Sequence, residues 1–172
     1  ISDNCDDFET IMINFIDNAS NLIDQAVVEV RAVSHNLMPA TLMKLGFKLA
    51  IEELVEKIND VGRVQVNLNL REPFGEMPAN LEITLYRIIQ EILNNALKHS
   101  NAKSIDIGLK VQNNRLFLSI SDDGVGFDTT QIEQAKGIGW KNIFSRISML
   151  GGDIDVNSQK NMGSNINISL PI

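Results

Sequence analysis

Cysteine occurs once in this chain, at Cys5, so no disulfide can form within it, and a reducing compartment suits it. Histidine occurs twice, at His35 and His99, and no Cys/His cluster has the spacing of a zinc site. No apolar run is long enough to span a membrane, so no membrane contact is expected of these residues. No signal-peptide pattern opens the sequence. Basic residues number 15 against 22 acidic ones, for a net charge of −7. That balance argues against nucleic acid as a partner, because phosphate backbones demand a basic surface. There is no nucleophile elbow. No His-Asp or His-Glu dipeptide occurs anywhere. The chain begins with Ile1 rather than Met, as expected of a piece of something longer.

What is present is ordinary globular material. Of 172 residues, 44% are hydrophobic and 22% charged, enough for one domain plus an appendage. From Phe8 to Leu37 apolar residues recur at steps of three and four, with no Gly or Pro between them. Asp6 or Asp7 can cap the start, and Pro39 marks the end. A helix of roughly thirty residues would be on the order of 45 Å long, too long for one small core. It calls for a second helix beside it, in this chain or in a partner.

After Pro39 a short turn is expected, then an amphipathic helix over Phe47 to Asp60, stopped by Gly62. Val64 to Leu70 alternates strictly and reads as a strand with one wet face. Pro73, Gly75 and Pro78 make a loop. Leu81 to His99 reads as a helix. Ser104 to Val111 and Leu116 to Asp122 read as strands, joined by a turn at Asn113-Asn114. Gln131 to Lys136 reads as a mobile loop. Ile138 to Leu150 is a further helix, stopped by Gly151-Gly152. Asp153 to Ser158 and Ser164 to Leu170 close the chain as a hairpin. This order predicts an α+β fold, one sheet with helices on one face, preceded by one long helix.

Four short segments in the second half carry the chemistry. In EILNNALKH, the residues Glu91, Asn95 and either Lys98 or His99 share one helix face. Such a stripe is ordinarily a solvated surface, and Lys98 and His99 suit a helix C-terminus in any case. It also suits metal and phosphate. Mg²⁺ prefers hard oxygen ligands, an Asn carbonyl adds none of the charge that phosphates already bring, and a nearby carboxylate can orient a reacting group. In DDGVG, an acidic turn is the plain reading. The alternative gives Asp122 the role of acceptor for an exocyclic amine, with Gly124 and Gly126 letting the backbone approach a flat ring. In GIGWKN, Gly137 and Gly139 open a helix whose free N–H groups suit an anion. Gly163-Ser164 completes the set or simply ends a hairpin.

In order and spacing these segments resemble the nucleotide-binding boxes of the ATPases shared by gyrase-type enzymes, a heat-shock chaperone, sensor histidine kinases and mismatch-repair proteins. The fold implied is the Bergerat-type ATP-binding fold, a mixed, mostly antiparallel sheet covered by helices on one face. QEILNNALKHS with KGIGWKNIFSRISMLGG is similar to two-component sensor histidine kinases of the nitrate-sensor type, over a stretch from about Ala26 to the end. The resemblance implies that ATP and Mg²⁺ are the cofactors. It makes Asn95 the metal ligand, Glu91 the catalytic acid beside it, and Asp122 the adenine acceptor. Lys98 and His99 would lie near the phosphates, and Gly124, Gly126, Gly137 and Gly139 would shape the site and its lid. Ser164 stands where Thr is more usual, and Trp140 where Leu is.

The same resemblance divides the chain at about residue 40. Residues 1–40 would be the second helix of a dimerising, phosphotransfer hairpin whose first helix is absent, and 41–172 the catalytic domain. The family's phosphoacceptor His is followed by an acid. Here Asn36 follows His35, so His35 is expected to be a helix-end residue, and the phosphorylated histidine to lie elsewhere. The implied function is transfer of the γ-phosphoryl of ATP to a histidine and on to the receiver domain of a response regulator, in a cytoplasmic, homodimeric kinase. Two alternatives stay open: an ATPase or protein-serine kinase of the same fold, and a dimerising adaptor with a dead nucleotide site.

Overall fold

The computed structural model describes residues 40–71, 77–130 and 138–172. The long helix expected over Phe8 to Leu37, His35 within it, and the loop expected over Gln131 to Lys136 lie outside the described residues. From Ala40 onward the chain forms one compact unit.

The elements in chain order are α1 (Ala40–Leu45), α2 (Phe47–Asp60), β1 (Gln65–Arg71), α3 (Ala79–His99), β2 (Ser104–Gln112), β3 (Arg115–Asp122), α4 (Ile138–Met149), β4 (Asp153–Ser158) and β5 (Ser164–Pro171). The one expectation that fails among these residues is the turn after Pro39, which is a short helix. Six residues cannot display an amphipathic period, and α1 buries only Leu42. Gly46, at φ 84°, separates it from α2.

The five strands form one mixed sheet in the order β1-β2-β3-β5-β4. β1 and β2 run parallel, linked by α3, and every other pair is antiparallel. The parity of the strand sequences sets the two faces. Ile105, Ile107 and Leu109, Leu116, Leu118 and Ile120, and Ile166, Ile168 and Leu170 are all buried on one face. The helices cover that face with Ile51 and Val55 of α2, Leu85, Ile88, Ile89, Ile92 and Leu93 of α3, and Ile143 and Ile147 of α4. Each such side chain contributes about 1.5–3 kcal/mol on burial, so this layer, and no single polar contact, sets stability.

The turn at Asn113-Asn114 has both residues at positive φ, 52° and 57°, as a tight hairpin turn requires. The edge strand β1 is partly closed by Asn59. Its Oδ1 accepts from Val66 N (2.7 Å) and its Nδ2 donates to Val66 O (3.0 Å). α3 ends at Ser100, whose N–H still bonds Ala96 O (2.9 Å), and Asn101 then turns the chain at φ 51°. That stop brings the last turn of α3 beside the C-terminal end of β3.

Candidate nucleotide site

The flank of the buried face of α3 meets the ends of β3 and β5 at a cavity of about 250 Å³. α3 contributes Ile92, Asn95, Ala96 and His99 to the lining. The sheet contributes Ile120, Asp122, Ser164 and Ile166. The segment after β3 contributes Gly126, Phe127 and Asp128, and α4 contributes Trp140. A larger depression of about 640 Å³ lies on the uncovered face of the sheet, around Asn69, Gly108, Ser119 and Asn167. It gathers none of the motif residues, whereas the smaller cavity gathers Asn95, His99, Asp122, Gly126 and Ser164, so the smaller one is the candidate site.

Asp122 is fixed from two directions. Its Oδ1 accepts from Gly124 N at 2.8 Å, and its Oδ2 accepts a short hydrogen bond from the Ser164 hydroxyl. Ser164 faces Asp122 because β3 and β5 pair in that register. The backbone around Asp122 is locked as tightly. Val125 N donates to Ser100 O (2.7 Å) and Gly163 N to Gly124 O (2.9 Å). Ser158 Oγ accepts from Phe127 N (2.9 Å) and donates to Gly163 O (2.8 Å). Gly163 is at φ 70°, and a Cβ there would lie 2.0 Å from Asp122 O. A Cβ on Gly124 would lie 2.2 Å from Ser100 O. Only glycine permits both close approaches.

The neighbouring Asp123 has a different task. Its Oδ1 accepts from Lys103 N (2.7 Å) and Ser104 N (2.9 Å), tying the end of β3 to the start of β2. Those N–H groups, Ser104 first and Lys103 next, hold its carboxyl below the usual range. Asp128, at the rim, is likewise lowered by the Thr130 hydroxyl and then by the Thr130 N–H.

On the α3 side, the Asn95 Nδ2 is buried and has no hydrogen-bond partner. Gly139 sits over this stripe: a Cβ on it would lie 2.5 Å from Glu91 Oε1 and 3.6 Å from Asn95 Nδ2. The start of α4 therefore passes directly above Glu91 and Asn95.

Of the residues singled out in the sequence, Asn95, His99, Asp122, Gly126 and Ser164 line one cavity. Glu91 and Gly139 meet beside Asn95, and Gly124 backs Asp122. Lys98 is exposed and is not in the lining. Gly137 lies outside the described residues. Sequence reasoning missed Ser100, Ser158 and the clamp made by Asp123. Ser158 bonds residues 31 and five positions away, so no local pattern could reveal it. Phe127 directly follows DDGVG and could have been found by its position.

Residues 80–172 match the family described as histidine kinase-, DNA gyrase B- and HSP90-like ATPases. The chain belongs to this family. Its second half is the ATP-binding catalytic domain of the sensor histidine kinase kind. This ATPase domain has curated relatives. The oxygen sensor histidine kinase NreB of Staphylococcus carnosus is 27% identical over 160 residues, 91% of this chain and 46% of that protein. Sensor histidine kinases LiaS and ComP of Bacillus subtilis are 29% and 32% identical over 88% and 83% of the chain. The chain spans 41% of LiaS and 19% of ComP, so it corresponds to less than half of each relative. Among solved structures, Acinetobacter baumannii histidine kinase AdeS aligns with TM-score 0.66 at 19% identity, over 88% of this chain and 82% of that one. The histidine kinase domain of a blue-light activated kinase from Erythrobacter litoralis aligns with TM-score 0.61 at 20% identity, over 70% and 58%. At those identities the likeness is one of fold, and the ATPase domain shares it. No described helix is long and apolar enough to cross a membrane.

Proposed function

We propose that this chain supplies the γ-phosphoryl of ATP to a histidine other than His35, for relay to an aspartate on a response regulator's receiver domain. The observation that carries this reading is Asp122. It is a carboxylate pinned by Gly124 and Ser164 at the end of a largely apolar cavity. Such a group accepts a hydrogen bond from an adenine amine while Ile120 and Ile166 bury the ring.

The residues present also fit Mg²⁺. Among the described residues no cluster of three His, Cys, Asp or Glu could hold a metal alone. A divalent ion here would depend on the nucleotide's phosphates for much of its coordination, as Mg²⁺ commonly does. The Asn95 carboxamide, whose nitrogen has no partner, supplies the protein ligand, since turning it by 180° presents its oxygen where its nitrogen now lies. Bound there, the ion would neutralise phosphate charge in a site whose own side chains are acidic. Glu91 beside Asn95 would orient the attacking histidine or a water, and the α4 N-terminus would place N–H groups toward phosphate. Such transfer is mostly positioning and charge neutralisation, which suits a site of ligands without a nucleophile. Homodimerisation through the segment before residue 40, the cytoplasmic setting and the nitrate-sensor subtype rest on the motif resemblance.

Labelled ATP tests this reading. The 172-residue chain should bind ATP and take up no acid-labile label, because Asn36 beside His35 cannot act as a base. A longer kinase that includes the preceding helix should take up label and keep it in a His35→Gln variant. Label on the 172-residue chain that disappears with His35→Gln would make His35 the phosphoacceptor and overturn the assignment.

A further inference from the structure

We infer that Trp140 is the residue that holds the face of the nucleobase, so that affinity in this site rests on an indole as well as on Asp122. The inference deepens the ATP-binding reading and rests on it. Asp122 offers a hydrogen bond at the edge of a base and nothing to its faces. The aliphatic lining, Ile92, Ala96, Ile120 and Ile166, offers area without a π surface. Besides the His99 imidazole, which the motif places near the phosphates, Trp140 and Phe127 are the aromatic groups in that lining.

The indole is held by its neighbours. Its ring centroid lies 5.9 Å from Phe127, tilted 51°, and 6.1 Å from Phe144, tilted 37°. Phe127 belongs to the segment after β3, and Phe144 is one turn further along α4. Two separate elements thus orient Trp140, each ring within the usual range of aromatic pairs. A core role alone does not account for it. α4 seals the core with Ile143 and Ile147, at 0% and 1% exposure. Trp140 continues that stripe one turn toward the N-terminus, where it packs against the edge of the core, is half-buried and also lines the cavity. Base–aromatic stacking tolerates small changes of position, which suits a group carried on the helix opposite the fixed carboxylate.

Calorimetry with ATP and with ADP tests this on the wild type, Trp140→Phe and Trp140→Leu. Leucine keeps bulk and removes the π surface. Its variant should bind both nucleotides roughly tenfold to a hundredfold more weakly, by the same factor, because the indole meets the base that they share. Trp140→Phe should recover most of the loss. Trp140 is the chain's only tryptophan, so its emission should change on ATP addition to the wild type with the calorimetric affinity. That arm needs no variant to fold. Unchanged affinity in Trp140→Leu, a loss confined to ATP, or unaltered emission at saturating ATP would overturn the inference while leaving ATP binding established. A wild type that binds no ATP would instead overturn the functional reading, and this inference with it.

Discussion

The sheet side of the cavity is held by hydrogen bonds, and the α4 side by ring contacts. Around Asp122, backbone, hydroxyl and carboxyl groups are locked into one arrangement, from Ser100 through Val125 to Ser158 and Gly163. Around Trp140 the contacts are tilted aromatic pairs at 5.9 and 6.1 Å, which can slide without breaking a bond. The contrast suits the two functions proposed for these residues. A carboxylate that selects one amine must not move, since a hydrogen bond weakens steeply with misalignment. A surface that covers a base can adapt, because dispersion and apolar contact are not directional.

The strongest way to break the contrast is to disturb the rigid side. Gly163→Ala forces a Cβ toward Asp122 O at positive φ. It should lower stability by about 2–4 kcal/mol, combining left-handed strain with overpacking. It should also weaken ATP binding by displacing Asp122. Denaturant unfolding together with ATP titration measures both, and wild-type values in either would show the clamp to be slack. A milder disturbance separates ligand binding from folding. Asn95→Ala removes a carboxamide whose nitrogen has no partner to lose, so thermal stability should scarcely change. The gain in ATP affinity on adding Mg²⁺ should disappear. If that gain persists, Asn95 is no metal ligand.

The smallest effect concerns the outer tie at Asp123. Its pKa is depressed in the folded chain by the Ser104 and Lys103 N–H groups. The contribution is therefore present above the unfolded value, about 3.9 for Asp, and is lost as pH falls through the lower folded value. Asp123→Asn should lose stability less steeply in acid than the wild type does. Melting temperatures followed from neutral to acid pH decide it, and parallel curves would show that Asp123 ties nothing.

Much of this architecture was legible because it repeats. The bounds of α2 coincide with its apolar period from Phe47, and β4 with its Asp-Ile-Asp-Val alternation. α1 was not legible, since six residues hold less than two turns. In the site, Asp122 was legible through its glycines, and Asn95 through its place one turn after Glu91. The adjacent Asp123 has the same residue type and, from sequence, no role of its own. Side-chain parity separates them: Asp122 points to the helix-covered side, with Ile120, and Asp123 lies beyond the strand end. The Ser158 bridge depends on β4 and β5 meeting the segment after β3, which only the folded sheet provides.

The central claim is that Asp122 recognises ATP. Titrating the wild type and Asp122→Asn with ATP and Mg²⁺ in a calorimeter tests it most directly. A hydrogen bond to a charged group is worth roughly 1.5–3 kcal/mol, so affinity should fall about tenfold to a hundredfold. The two proteins should unfold at nearly the same temperature, because the core layer is untouched. Equal affinity for ATP in the two proteins would contradict the account.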